Sequence, residues 1–127
     1  GLASGKELAS LGFNLSWAPV ADIDSNPNNP VIGKRAFGSK AEEVAEAASD
    51  YLKGLHDAAV LGCAKHYPGH GDTLVDSHFG LPVVNASKEE LRLRELFPFK
   101  RLVDAGVKLV MTAHVMYPAF DSNEPAT

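Results

Sequence analysis

The chain has 127 residues, with 12 Lys and Arg against 16 Asp and Glu and a formal net charge of -4, which fits one ordinary domain of roughly 100–200 residues. Its 45% hydrophobic and 22% charged residues exclude a disordered or collagen-like chain and predict a core. The acidic balance offers no basic stripe for a phosphate backbone, so nucleic acid is not an expected partner; no apolar run approaches the roughly 20 residues of a membrane span.

Cys63 is the single cysteine, which rules out an internal disulfide and a CxxC metal knuckle. No basic-then-apolar export signal opens the sequence, so compartment and oligomeric state stay open. The start in a helical stretch without Met, and the loop-like Asn123 to Thr127 at the end, predict a piece of a longer protein.

Leu2 to Leu11 predicts a helix, which Gly12 stops. Phe13 to Val20 (FNLSWAPV) is apolar and predicts a buried strand with Trp17 in the core. Asp22 to Pro30 (DIDSNPNNP) predicts a loop. Ser39 followed by Glu42 has the spacing of a capping box, and Val44, Ala48, Tyr51, Leu55 and Ala59 then recur at helical spacing until Gly62, with His56 facing outward. Gly62 to His66 (GCAKH) predicts a short strand in which Cys63 is a small core hydrophobe. Tyr67 to Val84 is a long aperiodic loop, and such loops are more often functional than idle. Ser87 with Glu90 makes a second capping box, opening a helix to about Leu96 that Pro98 can restart before Gly106 ends it. Lys108 to His114 (KLVMTAH) predicts the third strand.

Helix, strand, helix, strand, helix, strand predicts an α/β fold of parallel strands with helical crossovers. Each strand runs at its carboxyl end into polar residues: Asp22 and Asp24, then Lys65 and His66, then His114. Ligands bind at that edge in α/β architectures. A doubly wound sheet and a (β/α)₈ barrel both fit; a barrel needs about 250 residues, so about half of one would be present.

The densest chemical text runs from Lys65 to His78, with His66, His70, His78, Asp72 and Asp76. A solvated loop with locally bonded histidines is the plain alternative to a site. A metal site has the right residue types, but Pro68 and its flanking glycines prevent the helix that would put His66 and His70 on one face, so no metal is expected. Acid/base chemistry fits better. In an extended loop residues two apart share a side, so Asp76 can accept from one ring nitrogen of His78, fix its tautomer and free the other nitrogen to trade protons. An unperturbed pKa of about 6.5 suits both donation and abstraction near neutral pH.

The string KHYPGHGDT followed by DSH (Lys65 to His78), with NPNNPVIGKRAFG (Asn26 to Gly38) before it and MTAHV (Met111 to Val115) after it, resembles the family 3 glycoside hydrolases. Within them it is similar to the β-N-acetylglucosaminidase branch. The resemblance implies that residues 1–127 are part of a (β/α)₈ TIM-barrel-like N-terminal domain, with a small saccharide as partner and no cofactor. His78 is then the proton donor and acceptor, and Asp76 its partner. Arg35, Lys65 and His66 bind the sugar, with donors that match the lone pairs of its hydroxyls. For Arg35 the plain alternative is a surface ion pair. Lys65 and His66 would face opposite sides of a regular strand, so both reach a ligand only if the strand bends or ends there.

The family's nucleophilic aspartate belongs to a strand downstream of MTAHV, and Asp121 lies too soon after it to match. The expected activity is removal of terminal β-linked N-acetylglucosamine from chitin- or peptidoglycan-derived saccharides with retention, by the whole protein and not by this segment alone. A β-glucosidase, a phosphorylase of the same family and a non-catalytic sugar-binding fragment are the alternatives. Tyr67, Trp17 and Phe37 have faces that suit a pyranose ring.

Overall fold

The structure, a computed structural model, describes all residues from Gly1 to Thr127. In chain order it contains α1 (Leu2–Ser10), β1 (Leu15–Ser16), a 3₁₀ turn (Gly33–Arg35), α2 (Ala41–Asp57), β2 (Leu61–Tyr67), α3 (Lys88–Leu93), α4 (Leu96–Asp104) and β3 (Leu109–Thr112). The strands form one sheet in the order β1-β2-β3, all parallel, with Leu15 opposite Leu61 and Cys63 opposite Leu109. This is the expected α/β arrangement.

The core forms where helices meet the sheet. Val44, Ala45, Ala48, Leu52 and Leu55 form the buried stripe of α2, at the three- and four-residue spacing of one helix face. Ala48 and Leu52 meet Ala64 of β2 and Phe99 and Leu102 of α4. Cys63 is buried, as expected. α1 lies against α2 so closely that a Cβ on Gly54 would stand 2.3 Å from the Leu2 nitrogen.

Four expectations change. The run from Phe13 to Val20 pairs as a strand only at Leu15 and Ser16, and Trp17 is 57% exposed instead of lying in the core. β1 is an edge strand, and an apolar run is buried only where other elements cover it. The chain nevertheless follows β2: Cys63 N–H donates to the Ala18 carbonyl at 2.7 Å, and Ala21 N–H to the Lys65 carbonyl at 2.6 Å. Second, α2 starts at Ala41, so Lys40 is its N-cap and no Ser39 capping box forms; Glu43 pairs instead with Lys40 at 3.2 Å. A capping box tolerates no shift in spacing. Third, α2 ends at Asp57, which leaves Ala59 exposed. Fourth, His56 is half-buried, with its Nε2 covered and unpartnered.

Candidate active site

Of the polar strand ends, Asp22 and His66 meet and His114 shares the cleft with His66, and a buried carboxylate organises them. Asp22, 0% exposed, follows β1. Its Oδ2 accepts from His66 Nδ1 at 2.6 Å, and its Oδ1 from the backbone N–H of His70 at 2.6 Å. The backbone N–H of His66 also points at it, 3.3 and 3.2 Å from the two oxygens. Buried charge is tolerable only when satisfied in this way. The bonds fix the His66 ring and leave Nε2 as its nitrogen without a protein partner.

β2 is irregular where the chemistry begins. Lys65 pairs with Met111 and Tyr67 with Thr112, so two steps on β2 match one on β3, and His66 falls at the irregularity. Such a bulge re-aims side chains and removes the strict alternation that would separate Lys65 from His66. His66 lines a cleft of about 280 Å³ shared with Arg35, Ser77, His78, Met111 and His114. Lys65 is half-buried and does not line it. Burial, and then the neighbouring Arg35 charge, hold its ammonium below the ordinary lysine range.

His70 is a structural histidine. It is buried, its Nδ1 lies 2.8 Å from Thr73 Oγ1, and its Nε2 lies 3.1 Å from Ser77 Oγ. The Thr73 hydroxyl donates to the His70 carbonyl at 3.0 Å, so it accepts from the ring. That assigns the proton to Nδ1 and makes Nε2 the acceptor from Ser77. Burial pushes the ring pKa down and favours the neutral form this network needs.

His78 and Asp76 meet, through a different local geometry from the one expected. The segment is a tight turn and not extended: the N–H groups of Phe79 and Gly80 both reach the Asp76 carbonyl, at 2.9 and 3.2 Å. Asp76 Oδ1 accepts from the backbone N–H of His78 at 3.0 Å and from its ring Nδ1 at 2.7 Å. An aspartate that bonds the N–H two residues on is the usual way such turns are held. The backbone N–H first, and the ring second, keep the Asp76 carboxyl below the usual carboxylate range. The His78 ring is 77% exposed at the cleft mouth, with Nε2 open.

Arg35 stands at the end of the 3₁₀ turn and donates from Nη1 to the Val31 carbonyl at 3.0 Å. No carboxylate pairs with it, so the surface ion pair does not form. His114 reaches the cleft from the end of β3. The three aromatic residues do not line it. Tyr67 packs edge-on against Phe99, with centroids 5.4 Å apart, Phe37 lies against Tyr51, and Trp17 projects from the sheet edge. No group of three or more His, Cys, Asp or Glu side chains is placed to hold a metal ion.

Two residues of the site carried little sequence signal. Asp22 stood out only as a polar strand end. Asn29, inside a run of Asn and Pro, bonds five partners: its Oδ1 accepts from Val31 and Ile32 N–H, and its amide nitrogen reaches His70 O, Gly71 O and Thr73 Oγ1. The two loops meet without room for a side chain at residue 71, where a Cβ would stand 1.6 Å from the Ile23 carbonyl oxygen.

The model of the glycosyl hydrolase family 3 N terminal domain matches residues 1–127. The chain belongs to this family. Among solved structures similar to this family 3 segment is the β-N-acetylglucosaminidase from Paenibacillus sp. str. FPU-7, 47% identical, with a TM-score of 0.94 over 96% of this chain and 23% of that one. NagZ from Neisseria gonorrhoeae, in complex with N-trifluoroacetyl-D-glucosamine, is 41% identical, with a TM-score of 0.90 over 95% and 35% of the respective chains. Beta-hexosaminidase A of Pseudoalteromonas piscicida is 45% identical over 123 residues, 96% of this chain and 21% of its own length. The family 3 segment therefore spans between about a fifth and about a third of these relatives. The superpositions place its three parallel strands in a partial TIM-like barrel, and not in a doubly wound sheet.

Proposed function

We propose that the whole protein is a retaining β-N-acetylhexosaminidase that removes terminal β-linked N-acetylglucosamine from chitin- or peptidoglycan-derived saccharides. The observation that carries this reading is the Asp76–His78 pair, joined at 2.7 Å at the mouth of a cleft that also holds Arg35 and His66. Asp76 holds the proton of His78 on Nδ1, so Nε2 exchanges protons with the substrate. As acid it protonates the leaving oxygen; as base it takes the proton of the incoming water. Arg35 and His66, which line the cleft, hold the sugar hydroxyls, and Lys65, half-buried and outside that lining, joins them only if its side chain turns toward the bound sugar. The nucleophilic aspartate comes from outside these residues, since Asp22 is engaged by His66 and His70 and Asp76 by His78. The family membership and the named relatives support this assignment.

Transfer to phosphate is a second reading, favoured by one feature: the cleft sets an imidazole, in place of a second carboxylate, beside an arginine free of any carboxylate, so an anionic acceptor meets less repulsion. Product analysis in phosphate buffer separates the two, since a sugar 1-phosphate forms in one case and the free sugar in the other.

The deciding experiment is kinetic. In the full-length protein His78→Ala should slow deglycosylation most, by about 10²–10⁴-fold, because water needs a base and an activated leaving group needs little acid. Asp76→Asn should fall in the same direction by a smaller factor. Azide, an anion that needs no base, should restore part of the His78→Ala rate. Near-normal turnover of His78→Ala on aryl N-acetylglucosaminides would remove His78 from the chemistry.

A further inference from the structure

The two rims of the cleft belong to different loops, and one side chain is bonded to both. Toward the arginine arm, Asn29 Oδ1 accepts from the backbone N–H of Val31 at 2.9 Å and of Ile32 at 2.6 Å. Those residues lead into the turn of Arg35, whose guanidinium returns to the Val31 carbonyl. Toward the histidine loop, the Asn29 amide nitrogen lies 2.9 Å from the His70 carbonyl, 3.0 Å from the Gly71 carbonyl and 3.2 Å from Thr73 Oγ1. The chain of bonds continues from Thr73 to the His70 ring, and from that ring to Ser77, the residue between Asp76 and His78.

Only a carboxamide meets both sides. Its oxygen serves two N–H groups, and its NH₂ serves a set of acceptors. An aspartate at this position would keep the bonds to Val31 and Ile32 but turn a negative oxygen toward two carbonyls. The isosteric change therefore cuts one side of the clasp and spares the other.

We propose that Asn29 is a positioning residue that holds the arginine arm and the His78 turn at a set separation across the cleft, acting through Thr73, His70 and Ser77. This rests on His78 being the acid/base, and it identifies what places that group. Sugar binding at Arg35 and proton transfer at His78 then respond differently to Asn29→Asp.

The test uses the full-length protein as wild type, Asn29→Asp, Ser77→Ala and His78→Ala, assayed with an aryl N-acetylglucosaminide. In Asn29→Asp, kcat should fall by about 10–100-fold, the scale of a 1 Å misplacement, while KM stays near the wild-type value. Ser77→Ala, which cuts the last link, should lose kcat in the same selective way but by less. Amide hydrogen exchange supplies a readout independent of turnover. Asn29→Asp should speed exchange over residues 72–80 and leave residues 31–36 unchanged. Unaltered exchange over 72–80, or unaltered kcat with His78→Ala impaired, overturns the proposal. A parallel loss in kcat and KM with a lower Tm also overturns it, because it describes general fold support. If His78→Ala keeps full turnover, the acid/base reading fails on its own, and the exchange data still decide whether Asn29 docks the loop.

Discussion

Three aspartates and one glutamate around the histidine loop show how environment divides one functional group into separate roles. Asp22 is consumed by N–H donors and acts as a buried anchor, Asp76 orients His78, and Asp72 receives Arg94 Nη2 at 2.8 Å. Glu95 is different. It is 3% exposed, its Oε1 accepts from Arg94 Nε at 2.5 Å, and its Oε2 is covered without a partner. Burial pushes its carboxyl up despite the adjacent guanidinium. A raised folded pKa means that the native state favours the proton, so this contribution to stability is full below the unfolded value and is lost as pH rises through the folded one. The stability of the wild type relative to Glu95→Gln should therefore decline as pH rises from the ordinary glutamate range upward. Denaturant melts of both proteins across that range check it; a gap that moves the other way, or not at all, refutes it.

Helix α3 supports the same region from below. Ser87 Oγ accepts from Glu90 N–H at 3.2 Å, and Ser87 N–H donates to Glu90 Oε2 at 2.7 Å, closing the capping box in both directions. The Ser87 N–H first, and then its hydroxyl, which also donates to Glu90 Oε2 at 2.7 Å, hold the Glu90 carboxyl below its ordinary range. The helix has only six residues, so its ends weigh heavily in its stability. Its one buried residue, Leu91, packs with Val84, Ala113, Val115 and Tyr117, and the Tyr117 hydroxyl donates to the Gly69 carbonyl in the histidine loop. Ser87→Ala should cost about 1 kcal/mol. Urea melts give the value, and a change under about 0.3 kcal/mol would show that Leu91 alone holds the helix.

At the scale of the whole molecule, the 127 residues form a three-stranded sheet with two open edges, β1 and β3. Phe13, Trp17, Leu61 and Val110 are exposed on or beside these strands. Unpaired parallel edges with apolar neighbours template association. The segment expressed alone should self-associate and should not turn over an N-acetylglucosaminide, because the carboxylates at its cleft are already bonded. Sedimentation velocity and a chromogenic assay check both halves. A monomer, or turnover comparable to that of the full-length protein, would show that this reading of the open sheet or of the cleft is mistaken.

Much of the fold and part of the site were legible in the sequence. The alternation of helix and strand, the stripe of α2, the Ser87 capping box and the polar carboxyl ends of the strands are local patterns, and local patterns carry period and spacing directly. The Lys65 to His78 string also carried the family. What the sequence could not supply depends on neighbours distant along the chain. Trp17 is as apolar as a core residue, but within this three-stranded segment it stands at the sheet edge and is exposed, which only the order of strands shows. Ser39 has a suitable cap spacing, but where α2 starts is set one residue on. The three histidines of the loop are the same residue type, and the tertiary structure separates them. His66 is turned by a carboxylate 44 positions earlier, His70 is closed inside a network, and His78 is left open. By itself the sequence determined which elements form and which chemistry is available, because propensity and side-chain identity are local. The tertiary structure decided which of those side chains are engaged and which remain free, because hydrogen-bond partners and burial are settled only when remote segments meet.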